Sequence, residues 1–517
     1  MTAYGCTLTR KSDETRPDSA EAAQEKFPAP IYTETVLAVN FEDAKRYFLD
    51  ALIELHYAHT LMLARQGILP TEDARVLLRA LDELDRESIR KARYDGSVED
   101  LFFFVEEKLI AACGVDLAGR MHTARSRNDI DLTLYRMAVR RELLRIAAAV
   151  LEVRTALIDL AVENVRTLMP AYTHTQPAQP TTLAHYLLAA IECFGRDFER
   201  LRAAFATVNR NPLGACAITT TGFPIDRDFT AELLGFEGLQ VNSYGAIGAI
   251  DYATESVSAI AVCMVNLGKL VQDLLLWCMA EFNFLRVSDA YVQTSSIMPQ
   301  KRNPVSLEHT RILASKAFAQ SQAVLSCAHN TPFGDIVDSE DDLQPLVFSA
   351  FEDAHRALSL FAGVMSHCGV NREHMEQRAQ GSFLTVTELA DTLAREGGLS
   401  FRLAHGLVHA AVEELGSKYD RDRMVAAIQR LAPGIIGGPL SISEDHLKLA
   451  LDARHFVEIR KVRGGPAPEQ VESEIALARK EVGSALSWLE GKRALLAGYP
   501  QRIRQEISNL ATAGKQA

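Results

Sequence analysis

The segment Thr294–Pro304 reads TSSIMPQKRNP and brings together hydroxyls, a turn and carboxylate-binding donors. Ser295 and Ser296 offer oxygens that act as bases or nucleophiles once an oxyanion is stabilised, and Lys301 and Asn303 offer donors suited to a carboxylate. The same composition also fits a solvated surface loop of Ser, Pro and Lys. Two other segments have this polar character. His122–Asp131 is HTARSRNDID, where Ser126, Arg127 and Asn128 can clamp a carboxylate or cap the helix that follows, and both readings hold for different atoms. Ala171–Pro180 is AYTHTQPAQP, with Thr173 beside His174, an imidazole able to shuttle a proton near neutral pH; a lone histidine is otherwise a structural residue.

These polar segments are separated by long stretches without breakers. Between Leu132 and Leu168 there is neither Pro nor Gly, and Val139, Leu143, Ile146, Val150, Val153 and Leu157 recur at helical spacing. Similar runs cover 181–208, 252–284, 304–328 and 344–366, so the spacing predicts a bundle of five long helices with polar loops at its ends. No alternating strands and no repeat are visible, and the class is mainly α. Shorter helices, Glu42–Gln66 and Thr71–Ser88, precede the bundle, and amphipathic helices with breakers at Gly397-Gly398, Pro433 and Gly437–Pro439 follow it. The domains expected are a loose tail over 1–30, an N-terminal helical domain over 31–125, a central five-helix domain over 126–370, and a C-terminal helical domain over 371–517 that ends in a long charged helix from Pro468.

Composition removes several alternatives. With 517 residues the chain has material for roughly two to four domains and a large core, which excludes a small disulfide-stapled fold. Its formal charge is −12, which argues against a broad phosphate-binding surface and hence against nucleic acid as a partner. The eight cysteines form no CxxC pair and the 14 histidines no HExxH, so neither a zinc ribbon nor a metalloprotease-type site is expected, and reduced thiols fit a cytoplasmic setting. No export signal is visible in the first 35 residues. Val257–Gly268 lacks Asp, Glu, Lys and Arg but is shorter than the roughly 20 residues a membrane span needs. It reads as a helix buried on every side, covered in part by other copies of the chain, and no membrane partner is expected.

TSSIMPQKRNP resembles the SSxMPxKxN signature of the fumarase/aspartase superfamily. HTARSRND is similar to the HTGRSRND loop of its argininosuccinate lyase branch, with Ala124 at a glycine position, and YTHTQPAQP is similar to that branch's YTHLQRAQP. Asn211–Phe236 also resembles the branch, and the likeness spans roughly residues 40–500. The resemblance implies a three-domain, mainly α fold whose central long-helix bundle forms a homotetramer core, with each active site drawing its loops from different subunits. It implies a cofactor-independent lyase acting on a small dicarboxylate or amino-acid substrate. Ser295 then takes the Cβ proton, with main-chain N–H groups favouring its alkoxide. Lys301 and Asn303 hold the carboxylate that gathers charge, with Met298 and Ser296 beside them. Thr173 and the Ser126, Arg127 and Asn128 loop bind substrate carboxylate, and His174 works on the leaving amine, oriented and charged by Glu308. His122, Arg120 and Arg125 are assigned mainly to structure.

The departures bear on the substrate. Where argininosuccinate lyases carry substrate-contacting Tyr, Gln and Lys after the signature, this chain has Asp335, Glu340 and Leu343, and the N-terminal substrate serine falls near Phe41. The branch's NSLDAVSDRD becomes NSYGAIGAID at Asn242–Asp251. The Asp and Tyr that line the amine pocket of the related ethylenediamine-disuccinate lyase map to Val305 and Asp335. A fumarate-forming half joined to a different amine pocket is the reading these changes support: an N-substituted L-aspartate split to fumarate and an amine. The alternatives are argininosuccinate lyase itself and a catalytically silent, crystallin-like structural protein of the same fold.

Overall fold

The computed structural model describes residues 27–513, so the expected tail lies almost wholly outside the described residues. Helices α1 (Ala38–Tyr47) and α2 (Leu49–Arg65) stand where a single helix was expected. The break falls at Phe48, whose φ of −124° leaves the helical region and whose ring lies 5.0 Å from that of Tyr135 and 5.8 Å from that of Phe348. Helices α3 (Thr71–Asp82) and α4 (Leu101–Cys113) complete the N-terminal layer.

The bundle follows. Helix α5 (Arg127–Val162) starts at Ser126, whose extended backbone and reciprocal bond with Asp129 form a capping box. It stops six residues before the expected end, because Asn164 turns the chain: its amide donates to Leu160 O at 2.8 Å and its carbonyl accepts from Thr167 Oγ1 at 2.9 Å. The segment expected as a loop at 171–180 is instead a hairpin of β1 (Leu168–Thr173) and β2 (Gln176–Thr182), with a bulge at Ala171 and Tyr172. Pro170, Pro177 and Pro180 argue against a strand by composition. They are tolerated because the sheet has only two strands and each proline can direct its missing donor outward. His174 and Thr175 form the tip, both with left-handed φ, 51° and 61°.

Four more helices complete the bundle: α6 (Leu183–Val208), α7 (Asp251–Trp277), α8 (Val305–Ala328) and α9 (Gln344–Met365). Their bounds fall close to expectation except that α7 ends at Trp277, seven residues early. Helix α7 is also not buried on every side. Val257, Ile260, Cys263 and Leu267 are buried, but Val262 and Val265 remain 40% and 45% exposed, as does Ile312 of α8 at 54%.

Beyond the bundle, residues 389–451 close a separate small core around Leu393, Leu407, Met424 and Ile428. Pro433 sits inside the helix Arg421–Ile436 rather than ending it. Helix α10 (Pro468–Ala513) does not join that small core. It runs back along the bundle: Val471, Val482, Leu489 and Tyr499 belong to the main core, and the Trp488 ring lies 5.6 Å from both Phe198 and Phe205. Its far end is held by the N-terminal layer through the Arg504–Asp82 ion pair and an Arg75 bond to Leu510 O at 2.7 Å. The segment expected as one C-terminal domain therefore packs as two pieces. All seven described cysteines are free.

Candidate active site

The 36 residues of α5 separate the polar loops into two groups. At a rise of 1.5 Å per residue this helix is about 54 Å long. Ser126 caps one end, and the hairpin that carries Thr173 and His174 begins just past the other. Helix α7 runs parallel to α5, since Asp251 pairs with Arg136 at 3.5 Å near the first end and the Trp277 ring meets Tyr186 at 4.8 Å near the second. The Ser295 segment therefore lies at the hairpin end, where the Phe282 ring is 5.9 Å from Tyr172. Helix α8 then carries the chain back, and the 330–343 segment returns to the Ser126 end, where Asp341 accepts a hydrogen bond from Tyr135 Oη at 3.0 Å.

At the hairpin end the site residues are accessible and carry few internal partners. Two short strands, β3 (Gln293–Thr294) and β4 (Arg302–Asn303), pair and close the signature into a tight loop. Ser295 N–H donates to Lys301 O at 3.4 Å, and Lys301 N–H to Met298 O at 3.0 Å. The half-buried Ser295 Oγ accepts the main-chain N–H of Ile297 at 3.3 Å and of Met298 at 3.0 Å. Two aligned N–H dipoles favour the alkoxide over the alcohol, as in an oxyanion hole. Ser296, Met298, Lys301, Thr173, His174 and Glu308 are exposed, while Asn303 and Val305 are half-buried. Glu308 and Val305 line a shallow cavity of about 580 Å³ with Gln293, His309 and Arg311. Among the described residues no ion pair or hydrogen bond joins His174 to Glu308 within the chain.

The Ser126 end is the opposite. Ser126 Oγ donates to Asn128 Oδ1 at 2.8 Å, and Asn128 Nδ2 donates to Ala217 O at 3.1 Å. Arg127, expected as a carboxylate clamp, is engaged inside the chain, paired with Asp100 and, at 2.9 Å, with Asp131. Burial works against its charge, but the Asp131 and Asp100 carboxylates outweigh it and hold the guanidinium above its ordinary range. Arg125 is buried at 6% exposure and donates to His56 Nδ1 at 3.0 Å, and His59 Nε2 bonds Thr123 O at 2.9 Å. Burial, reinforced by Arg125, pushes His59 down to about 3 and His122 to about 4, so both imidazoles stay neutral and structural. Arg120 is tied at 2.9 Å to both Asp73 and Asp116.

Around Arg127 lies a group of carboxylates that sequence reasoning reached only in part. Glu340 lies beside Asp335, with Asp131 and Asp341 close by. Burial, reinforced by Asp335, pushes Glu340 up to about 8, and burial lifts Asp131 to about 7 against the pull of Arg127. Asp341 is raised by burial as well. Asp131 was legible as the i+4 neighbour of Arg127, a spacing at which opposite charges meet on a helix. Asp100 and Asp341 lie far off in sequence and carried no signal. Phe41, at the lost serine position, is core, packed 5.5 Å from Tyr94 and 5.4 Å from Phe104, and Leu343 is buried. The altered 242–251 stretch supplies close packing: a Cβ on Gly248 would lie 3.1 Å from Gly334 N, and Tyr244 stacks on Phe333 at 6.1 Å.

A long-helix bundle carrying these three loops defines a carbon–nitrogen lyase of the fumarase/aspartase superfamily. The lyase family matches residues 45–319, and the argininosuccinate lyase C-terminal family matches 383–458. The chain is 43% identical to argininosuccinate lyase 2 of Agrobacterium fabrum over 89% of its own length and 92% of that protein. It is 37% identical to argininosuccinate lyase of Methanoculleus marisnigri, covering 91% and 94%. Among solved structures, EDDS lyase in complex with formate superposes with a TM-score of 0.81 at 32% identity, covering 93% of this chain and 96% of that one. Class II fumarase of Schistosoma mansoni shares the fold at a TM-score of 0.65, 14% identity and coverage of 83% and 92%. The chain belongs to the argininosuccinate lyase-like branch of this superfamily.

Proposed function

We propose that the protein splits an N-substituted L-aspartate into fumarate and an amine by β-elimination, using only its own side chains. The observation that carries the reading is the pair of N–H groups aimed at Ser295 Oγ, on the loop that also presents Lys301 and Asn303. Ser295 as alkoxide takes the Cβ proton, and its electron pair moves into the adjacent carboxylate to give a dianionic aci-carboxylate. Lys301 and Asn303 hold that charge, with Met298 and Ser296 beside them. Collapse of the intermediate expels the amine, which receives a proton from His174, oriented by Glu308. Thr173, Ser126 and Asn128 hold the other carboxylate. Arg127 contributes to that end through its carboxylates rather than as a free clamp.

One chain does not bring these parts together, because a helix about 54 Å long separates Ser126 from the hairpin that carries His174. A tetramer in which loops from different subunits meet resolves the separation, and the exposed apolar side chains Val262 and Val265 of α7 and Ile312 of α8 supply surface for it. For the amine, the carboxylates of Asp335, Glu340 and Asp341 beside Arg127 favour a substrate whose amine half carries a second positive charge. A screen of amines added to fumarate, followed by loss of fumarate absorbance, tests this. Preference for diamines supports it, and no turnover with any amine sinks the lyase reading. Identity of 43% to a protein named argininosuccinate lyase favours that enzyme as the second reading. Rescue of an arginine auxotroph together with exclusive use of arginine would establish it over the first.

A further inference from the structure

We infer that Asp129 is a positioning residue for substrate binding, a buried carboxylate that stitches the Ser126–Asn128 loop to the Gly214–Cys216 turn; the inference rests on the lyase reading above. Asp129 is fully buried. One of its oxygens accepts Ser126 N–H at 2.9 Å, and the other accepts Gly214 N–H at 2.7 Å and Cys216 N–H at 2.9 Å. Two more bonds cross the same seam: the Cys216 thiol donates to Ala124 O at 3.2 Å and Asn128 Nδ2 donates to Ala217 O at 3.1 Å. Among the described residues the Asp129 carboxylate makes no ion pair, so what it holds is backbone.

The backbone it holds is strained. Ala124, Cys216 and Thr220 have φ of 60°, 53° and 64°, the left-handed region that a Cβ disfavours. Such residues persist only where their surroundings over-determine them, and a carboxylate bonded to three main-chain donors does so. At Gly214, with φ of 90°, a Cβ would fall 2.6 Å from Arg227 Cγ, so the turn closes on its neighbours only as glycine. The consequence is for Ser126 and Asn128, whose mutual bond at 2.8 Å fixes the direction of the Asn128 amide. Loosening the seam lets these donors drift. The cost falls on substrate binding rather than on proton transfer, because no bond of this seam involves Ser295, His174 or Glu308, which stand on other loops.

Asp129→Asn keeps the shape while replacing one acceptor by a donor that faces N–H groups. The expected result is a KM for fumarate raised about tenfold with kcat changed less than about threefold, at unaltered assembly state. Adding Ala124→Gly to that variant should recover part of the KM, because glycine reaches φ near 60° without the anchor. An unchanged KM, or equal losses in kcat and kcat/KM, overturns the inference. Native-state hydrogen exchange on the unmodified protein gives an independent arm: the amides of Ser126, Gly214 and Cys216 should open as one unit. Gly214 and Cys216 exchanging independently of Ser126 also overturns it. This arm holds if the variant does not fold, and it separates failure of the stitch from absence of fumarate turnover in the unmodified protein, which sinks only the lyase reading.

Discussion

The two ends of the bundle are built on opposite plans. At the hairpin end Thr173, His174, Lys301 and Glu308 stand exposed with few partners, and the preorganised feature is the N–H pair at Ser295. At the Ser126 end the candidate binding groups are engaged within the chain: Arg127 by two aspartates, Asp129 by three main-chain donors, Ser126 Oγ by Asn128. Chemistry in which charge moves needs groups that can approach the reacting atoms, whereas recognition needs donors fixed before substrate arrives. The difference teaches that the chain presents its reactive and its binding groups at separate ends of the bundle, as the shared-site assembly proposed above requires.

The sharpest way to break this comparison is Ser295→Ala, which should lower kcat for fumarate formation on the order of 10³-fold while gel filtration shows an unchanged assembly. Turnover at the original rate would remove Ser295 as the base. Next comes mixing. A Ser295→Ala chain and an Asn128→Ala chain, each nearly inactive, should regain activity well above the sum of the parents once co-assembled, since some sites then receive both intact loops. A mixture no better than its components would mean that each site is built from one chain.

A smaller effect is expected at the acidic group. Asp335→Asn with Glu340→Gln should reduce the preference for a diamine over a monoamine by about tenfold, or about 1.4 kcal/mol. The pH dependence has a definite sign. Glu340, raised to about 8, and Asp131, raised to about 7, are protonated and neutral below those values and gain charge as pH rises through them. The KM for a dicationic amine should therefore fall between about pH 7 and 8 in the unmodified protein, provided the amine keeps its charge, and the double variant should flatten that limb. A steeper limb in the variant would assign the titration elsewhere. Smallest of all is Ala124→Gly in the unmodified protein. Relief of a left-handed alanine and the added flexibility of glycine nearly cancel, so the melting temperature should move by an amount equivalent to less than about 1 kcal/mol.

Legibility in the sequence followed local physics. Helices α6, α8 and α9 were readable to within two residues because apolar periodicity and flanking breakers act locally. The early end of α5 was not, because what stops it is a side-chain turn at Asn164 rather than a breaker residue. The hairpin was hidden by three prolines that only an isolated two-stranded sheet accepts. The long final helix was readable as a helix, but its partner was not: Tyr499 packs in the main core and bonds Glu54 at 2.5 Å, contacts that run across the whole chain.

The sequence by itself determined the superfamily, the mainly α bundle and the residue types of the candidate site, because those depend on short motifs and on periodicity. Only the tertiary structure decided where each motif lies. It placed Ser126 and His174 at opposite ends of a helix about 54 Å long and showed Arg127 already neutralised by Asp100 and Asp131. It also gathered the altered residues, exposed Asp335 and half-buried Glu340, with Asp131 and Asp341 into one carboxylate group. The physical reason is that a motif fixes which atoms are present, whereas burial and the charges brought in from distant segments fix which of them remain free to meet a substrate.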